Sequence, residues 1–384
     1  MGKCSVLLGG VLFLFACQPP SGQTPVVKPS VASPSPVVSP LPSASGSLVP
    51  TSSVTPVVSP SPTPAFSSRP VEIIAGNGAK GFQDGPAKQA TFNQLRGSCF
   101  DPKSGDVYVI DTNRIRKLSK DGQVTTIAGS EEAGFQDGSL KTARFNQPQD
   151  CVVDAQGQVL ISDYRNHRIR LLSMQNGVST LVGAGETVSK DGDTKEAGLA
   201  FPQNLAMSSE GKLYFSEPFK IRLFAEGKVT TLNKHQKNAT VDRFTYRDGD
   251  ILTEATFGAN LSFSLNAQNE VFIADSDLKI IRKLGVDGRV STLSVPISES
   301  DRRSLIPGAQ DIVYLQDLEK WIIAAPFELY QMDKAGNINL ISINQIEGEE
   351  SMPNFKGIIS ICAIDTTEVY IIDSYAHQVK SIKF

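Results

Sequence analysis

From residue 71 to residue 384, apolar and polar positions alternate in short runs cut by Gly, Asp and Asn, and the runs recur in six sets. Phe92, Phe145, Phe201, Phe257, Ile306 and Phe355 open the sets, at spacings of 53, 56, 56, 49 and 49 residues. Each opener is followed by an apolar run, a small turn and a second alternating run. Those second runs read DVYVID (106–111), QVLISD (158–163), KLYFSE (212–217), EVFIAD (270–275), KWIIAA (320–325) and EVYIID (368–373). Third runs begin at Arg114, Arg168, Lys220, Ile280, Glu328 and Gln378, and fourth runs at Val124, Val178, Val229, Val290 and Ile338. A period of two puts alternate side chains on opposite faces, and β-branched residues suit a pleated, half-buried surface. Every run therefore predicts a strand.

Four antiparallel strands in a unit of about 50 residues make a propeller blade rather than a solenoid turn. The sixth unit ends at Phe384 without a fourth strand. A matching one stands at the other end of the repeats: VEIIAG (71–76) leads into GFQDG just as VTTIAG (124–129) does. The expected fold is all-β, a six-bladed β-propeller closed by the N-terminal strand 71–76 completing the C-terminal blade. Closure removes free sheet edges, and packing each blade on two neighbours lets 314 residues do without one oversized core.

The unit FNQPQDCVVDAQGQVLISDYRNHRIRLLSMQNGVSTLVG (145–183) resembles an NHL repeat, with its signature fullest from Asp163 to Arg170. The signature weakens to DTNRIR at Asp111, EPFKIR at Glu217 and DSYAHQVK at Asp373, and the fifth unit has lost both acid and arginine. The resemblance implies a six-bladed propeller of NHL type over 71–384 and says much less about function. Asp111, Asp163, Glu217 and Asp275 recur in step with Arg116, Arg170, Arg222 and Arg282. Chemistry needs different residues in different blades, so these read as an ion pair pinning each blade. Asp84, Asp137, Asp191 and Asp248 form another series in step. They read as Asp-Gly turns docking the following Ala and aromatic residue, since their loops lack the dense oxygen spacing of a calcium loop. His167 and His377 share one repeat position and read as fold residues, which leaves no His-based metal site.

Composition changes the picture mainly at the N-terminus. Lys3 precedes an uncharged apolar run from Ser5 to Ala16, and a helix of that length rises about 18 Å, too short for a hydrocarbon core of roughly 30 Å. Residues 1–17 read as a signal peptide whose end, Leu14-Phe15-Ala16-Cys17, resembles a bacterial lipobox, with Cys17 lipidated. Gln18 after it implies outer-membrane sorting in a two-membrane cell. Residues 18–70 hold 14 of the 23 prolines with 14 serines and no acidic residue, a disordered tether rather than a core former. A net charge of −3 from 37 basic and 40 acidic residues excludes the basic stripe of a nucleic-acid binder.

The remaining cysteines, Cys99, Cys151 and Cys362, are expected to be buried thiols, because equivalent positions on neighbouring blades such as Cys99 and Cys362 should exceed the roughly 7 Å Cα limit for a disulfide. The loops between blades open on one face together with the second-to-third strand turns, and loop-rich faces carry binding. The longest, 234–256, offers His235, Lys237, Arg243, Phe244, Tyr246 and Arg247 as ligand-binding candidates, aromatic and Arg side chains being favoured at interface centres. The expectation is a monomeric, non-enzymatic binding propeller without cofactor or catalytic residues. It is lipid-anchored in the cell envelope and recognises an envelope protein or carbohydrate. The alternative is a calcium-dependent hydrolase or lactonase resembling the gluconolactonase group, drawing oxygen ligands from Asn93, Asn146, Asn204, Asn260 and Glu217.

Overall fold

A computed structural model describes residues 69–233, 246–293, 308–341, 343 and 355–384. The leader, Cys17, most of the tether, His235, Lys237, Arg243, Phe244 and Ile306 lie outside the described residues. The repeats form six antiparallel sheets. From the inside outward, blade 1 runs Leu95–Asp101, Asp106–Asp111, Arg114–Leu118 and Gln123–Gly129. Blade 2 runs Cys151–Val153, Val159–Asp163, Arg168–Ser173 and Gly177–Val182, and blades 3, 4 and 5 repeat the order. Blade 6 takes Ile358–Ala363, Glu368–Asp373 and Gln378–Lys383 from the C-terminus, and Val71–Ala75 pairs outside them in the register Val71 to Ile382. The ring is closed as the sequence implied, with one strand from the start and three from the end. Arg69 already donates to the Lys383 carbonyl at 3.0 Å.

Each inner strand packs on the inner strands of both neighbouring blades, all the way round. The buried apolar side chains accordingly divide into six clusters, one per seam between blades. Phe92, Phe145, Phe257 and Phe355 each fill a seam, as their recurrence predicts. Phe201 does not. In the blade 2–3 seam that place belongs to Leu199, two residues past Ala197 as Phe145 is two past Ala143. An aromatic in almost the right place had outcompeted an aliphatic one in the sequence pattern. Phe201 instead adopts φ 56° and packs on Tyr164 and His167, with ring centroids 5.0 and 4.6 Å away.

The cysteine expectation is also corrected. Cys99 and Cys151 form a disulfide with Cα atoms 5.6 Å apart, and among the described residues Cys362 is left as a buried free thiol. The spacing argument compared equivalent positions, but these two are inequivalent: Cys151 pairs with Ile161, whereas in blade 1 it is Ser98 that takes the corresponding place opposite Val109. That offset of one residue, where the inner strands converge, brings the two sulfurs together. Gly97 permits the approach. Its N–H donates to the Gln149 carbonyl at 2.8 Å, and a Cβ there would meet the Asp150 Cα at 2.5 Å.

Candidate functional site

The recurring charges are consumed by the scaffold. Arg116, with no solvent exposure, donates through Nη1 to Asp111 at 2.9 Å and through Nη2 to Asp84 at 2.8 Å. It also reaches the carbonyls of Thr91 and Gln83. Arg170 repeats this with Asp163 and Asp137, and Arg222 with Glu217 and Asp191. The two series seen in the sequence are thus one device. The loop aspartate grips the guanidinium on one side and a threonine of the outer strand on the other: Thr126, Thr180, Thr231 or Thr292. Gly85–Pro86, Gly192–Asp193 and Gly249–Asp250 then pair as short fifth strands on the outer edges of blades 1, 3 and 4. The interblade loops therefore cover edge strands that would otherwise offer free N–H and C=O groups.

Blade 4 departs from the pattern. Arg282 pairs with Asp248 at 2.7 Å and donates to two carbonyls, while Asp275, buried, accepts the Gly258 and Leu278 N–H groups. Burial raises the Asp275 pKa to about 6. In blade 6, Lys380 takes the arginine's place on Asp373 at 2.9 Å. His167 and His377 occupy the same left-handed position closing a one-turn 3₁₀ helix.

Of the candidate ligand residues, the structure describes Tyr246 and Arg247. Tyr246 is exposed and lies 5.6 Å from the Arg282 guanidinium, and Arg247 accepts from Arg282 through its carbonyl. Tyr246 thus sits in the repeat position of Phe82 and Phe135, which cover Arg114 and Arg168. Scaffold packing accounts for its placement.

A different set of residues converges at the mouth of the central channel, on the face of the second-to-third strand turns. The inner strands contribute one equivalent residue each, just before the residue that pairs two places short of the strand-end acid: Gly97, Asp150, Asn204, Ser262, Asp311 and Ser360. The residues one step nearer the opening are Arg96, Gln149, Gln203, Leu261, Gln310 and Ile359. Both rings line a cavity of about 500 Å³, joined by Tyr164, Arg165 and Asn260 among others. Unlike the guanidinium series, these positions are mixed: the deeper ring holds four residue types and the outer ring four.

The deeper ring is also the inner lock of the propeller. The Leu205 N–H donates to Asp150 at 2.9 Å, Asn204 Nδ2 to the Leu261 carbonyl at 2.6 Å, and the Ile361 N–H to Asp311 at 2.9 Å. Ser262 donates to Asp311, and Ser98 lies 3.4 Å from Ser360, so with Gly97 every seam is bridged. Asp150 and Asp311 stand three blades apart across the channel. Burial raises both pKa values, and the charge of Asp311 adds to the rise at Asp150. Nothing in the repeat pattern marks Asp150, Asp311 or Arg96 as site residues. The available signal was the column that varies once the units are aligned on the strand-end acid.

The oxygen ligands of the calcium alternative are not assembled. Asn204 and Asn260 line the mouth, while Asn93 and Asn146 donate their backbone N–H groups to Asp111 and Asp163. Glu217 is fully buried on Arg222 and the Ala200 N–H. Among the described residues no group of three or more His, Cys, Asp or Glu side chains is placed to hold a metal.

Fold and closure define the molecule as a six-bladed β-propeller with a polar channel mouth. Residues 145–170 match the NHL repeat. The chain is 25% identical over 264 residues to the Arabidopsis thaliana chloroplastic protein SUPPRESSOR OF QUENCHING 1; this is 58% of the chain but only 25% of that protein. It spans a small part of the curated relatives it matches. Among solved structures it resembles a Bacteroides thetaiotaomicron protein of unknown function, with TM-score 0.59 and 16% identity over 82% of this chain and 76% of that one. It also resembles a gluconolactonase from Xanthomonas campestris, with TM-score 0.51 and 10% identity over 84% and 93%. At these identities the likeness is one of fold.

Proposed function

We infer that the protein is a lipid-anchored binding propeller that holds its ligand at the channel mouth. The observation that supports this is the contrast between columns. The charges that recur along the blades are bound inside the scaffold, whereas the mouth columns mix charged, amide, hydroxyl and apolar residues around one cavity. A volume near 500 Å³ suits a small molecule or the tip of a polymer, small-ligand pockets being roughly 300–1,000 Å³. The leader and tether supply the reach: Cys17 joins the chain to an envelope membrane, and the Pro-rich segment spaces the propeller from it. Two substitutions test the two halves. Cys17→Ala should release the protein from the membrane fraction, and a variant that stays there refutes the anchor. Gln310→Trp, an exposed lining position, should fill the mouth and abolish capture of envelope components by crosslinking on intact cells while the far-ultraviolet spectrum is unchanged. Undiminished capture refutes the mouth as the site.

A second reading is a metal-dependent lactonase, favoured by the fold shared with a gluconolactonase and by Asn204 and Asn260 at the mouth. The buried pairing of Glu217 counts against it. Calcium that raises the melting temperature in an EDTA-reversible way would favour this reading, since a ligand specific to the folded state stabilises by mass action.

A further inference from the structure

We propose that the mouth takes an acidic saccharide, with Arg96 binding its carboxylate and the amide and hydroxyl side chains of the two rings binding its hydroxyls. This rests on the reading of the mouth as the binding site and names the class of ligand. Buried cations elsewhere in the propeller have carboxylates against them: Arg116, Arg170 and Arg222 each have two, Arg282 has Asp248, and Lys380 has Asp373. Arg96, half-buried in the wall of the mouth, has none. Its Nη1 donates to the amide oxygen of Gln149 at 2.9 Å, and its Nε is buried with no partner. Among the described residues no carboxylate lies within ion-pair distance of it. An uncompensated charge withdrawn from water is costly, and burial already lowers the Arg96 pKa. A planar guanidinium in that state is matched to an incoming carboxylate.

A second cation lines the mouth. Arg165, beside Arg96 in the lining, likewise contacts an amide oxygen, that of Gln147 at 3.2 Å. The two carboxyls in the wall form no ion pair with these cations. Asp150 and Asp311 are bonded to the strands, and burial favours their protonated forms. Around the guanidiniums stand Gln149, Gln203, Gln310, Asn204 and Ser360. Amides and hydroxyls each offer donor and acceptor, the match for vicinal hydroxyl groups.

The test is calorimetric titration of the full-length chain with α-1,4-linked trigalacturonic acid and with its neutral counterpart, galactotriose. The acid should bind at least tenfold more tightly at low salt, and the gap should close as salt rises. Arg96→Gln should erase the preference, and Arg96→Lys should restore much of it, an outcome that a purely structural role for Arg96 does not produce. If Arg96→Gln fails to fold, the salt dependence of the wild type and the lysine variant decide. Equal affinity for the two sugars, or a preference that survives Arg96→Gln, overturns the carboxylate assignment and leaves the mouth as a binding site. Absence of binding by either sugar overturns the saccharide class. Failure of the mouth itself would show separately, as capture undiminished by Gln310→Trp.

Discussion

Replacing Arg170 by Met tests whether the recurrent guanidiniums hold the blades. Arg170 and Asp163 are both fully buried, and Arg170 bonds Asp163 and Asp137, each at 2.6 Å. It also donates to the Arg144 and Gln136 carbonyls at 3.1 and 2.9 Å, tying the interblade loop to the blade. Methionine keeps much of the volume but leaves Asp163 as a buried carboxylate with only the Asn146 N–H and Asn166 Nδ2 as donors. Breaking a buried pair from one side costs about 3–5 kcal/mol, a large share of a stability of about 5–15 kcal/mol. Asp137 is 41% exposed at its side chain, so Asp137→Asn should cost only about 1 kcal/mol. Adding Asp163→Asn to Arg170→Met removes the stranded charge and should recover about 2 kcal/mol. Urea unfolding of the full chain, followed by the single tryptophan, Trp321, and by circular dichroism, measures all three. The Arg170→Met deficit should also shrink on acidification, when Asp163 takes up a proton. A deficit below about 1 kcal/mol, or a double variant weaker than the single one, refutes the reasoning.

Other consequences follow from single groups. Asp275 is raised from 3.8 to about 6, so the folded chain keeps a proton that the unfolded chain has lost between those values. Its contribution is complete below about pH 4 and disappears as pH rises through 6. Stability measured relative to Asp275→Asn should therefore fall by about 3 kcal/mol from pH 4 to pH 7, and a flat difference sinks the assignment. The Cys99–Cys151 bond closes a 52-residue separation, for which chain entropy gives about 4 kcal/mol. Cys99→Ser with Cys151→Ser should lower the urea midpoint accordingly, and an unchanged midpoint shows the bond to be dispensable. Gly97→Ala drives a methyl into the Asp150 backbone and should cost about 1–3 kcal/mol, read as a drop in melting temperature.

Period-two alternation and recurrence made the blades and the closure of the ring legible in the sequence, because both depend on which residues repeat. The errors lay where the repeat slips. Leu199 lost its place to Phe201 because an aromatic two residues away imitated the pattern better than the true seam residue. The disulfide was missed because Cys99 and Cys151 are one residue out of equivalence, and only three-dimensional convergence of the inner strands turns that offset into contact. The guanidinium device was half visible. Each carboxylate series was recognised as scaffold, but nothing in one dimension showed that Asp84 and Asp111 share Arg116.

The site was hidden for the opposite reason. Recurrence brings forward the acidic and arginine columns, whose charges are bound inside the scaffold by ion pairs or, at Asp275, by backbone N–H groups. The column Gly97, Asp150, Asn204, Ser262, Asp311, Ser360 holds four residue types in six places, yet geometry places all six around one opening. The propeller thus divides its labour by register. Along the second and third strands a guanidinium fixes the blade, and identity is needed because four of the blades solve the same packing problem that way. One position near the start of the inner strand faces the channel, where six strands meet at a single point and sameness would give only a symmetric, featureless pore. Difference there is compatible with closure because each seam has its own bridge: an N–H at Gly97, a carboxyl at Asp150 and Asp311, an amide at Asn204. Arg96 shows the consequence: the scaffold sets an amide oxygen rather than a carboxylate against it, and it lies where a ligand can reach it.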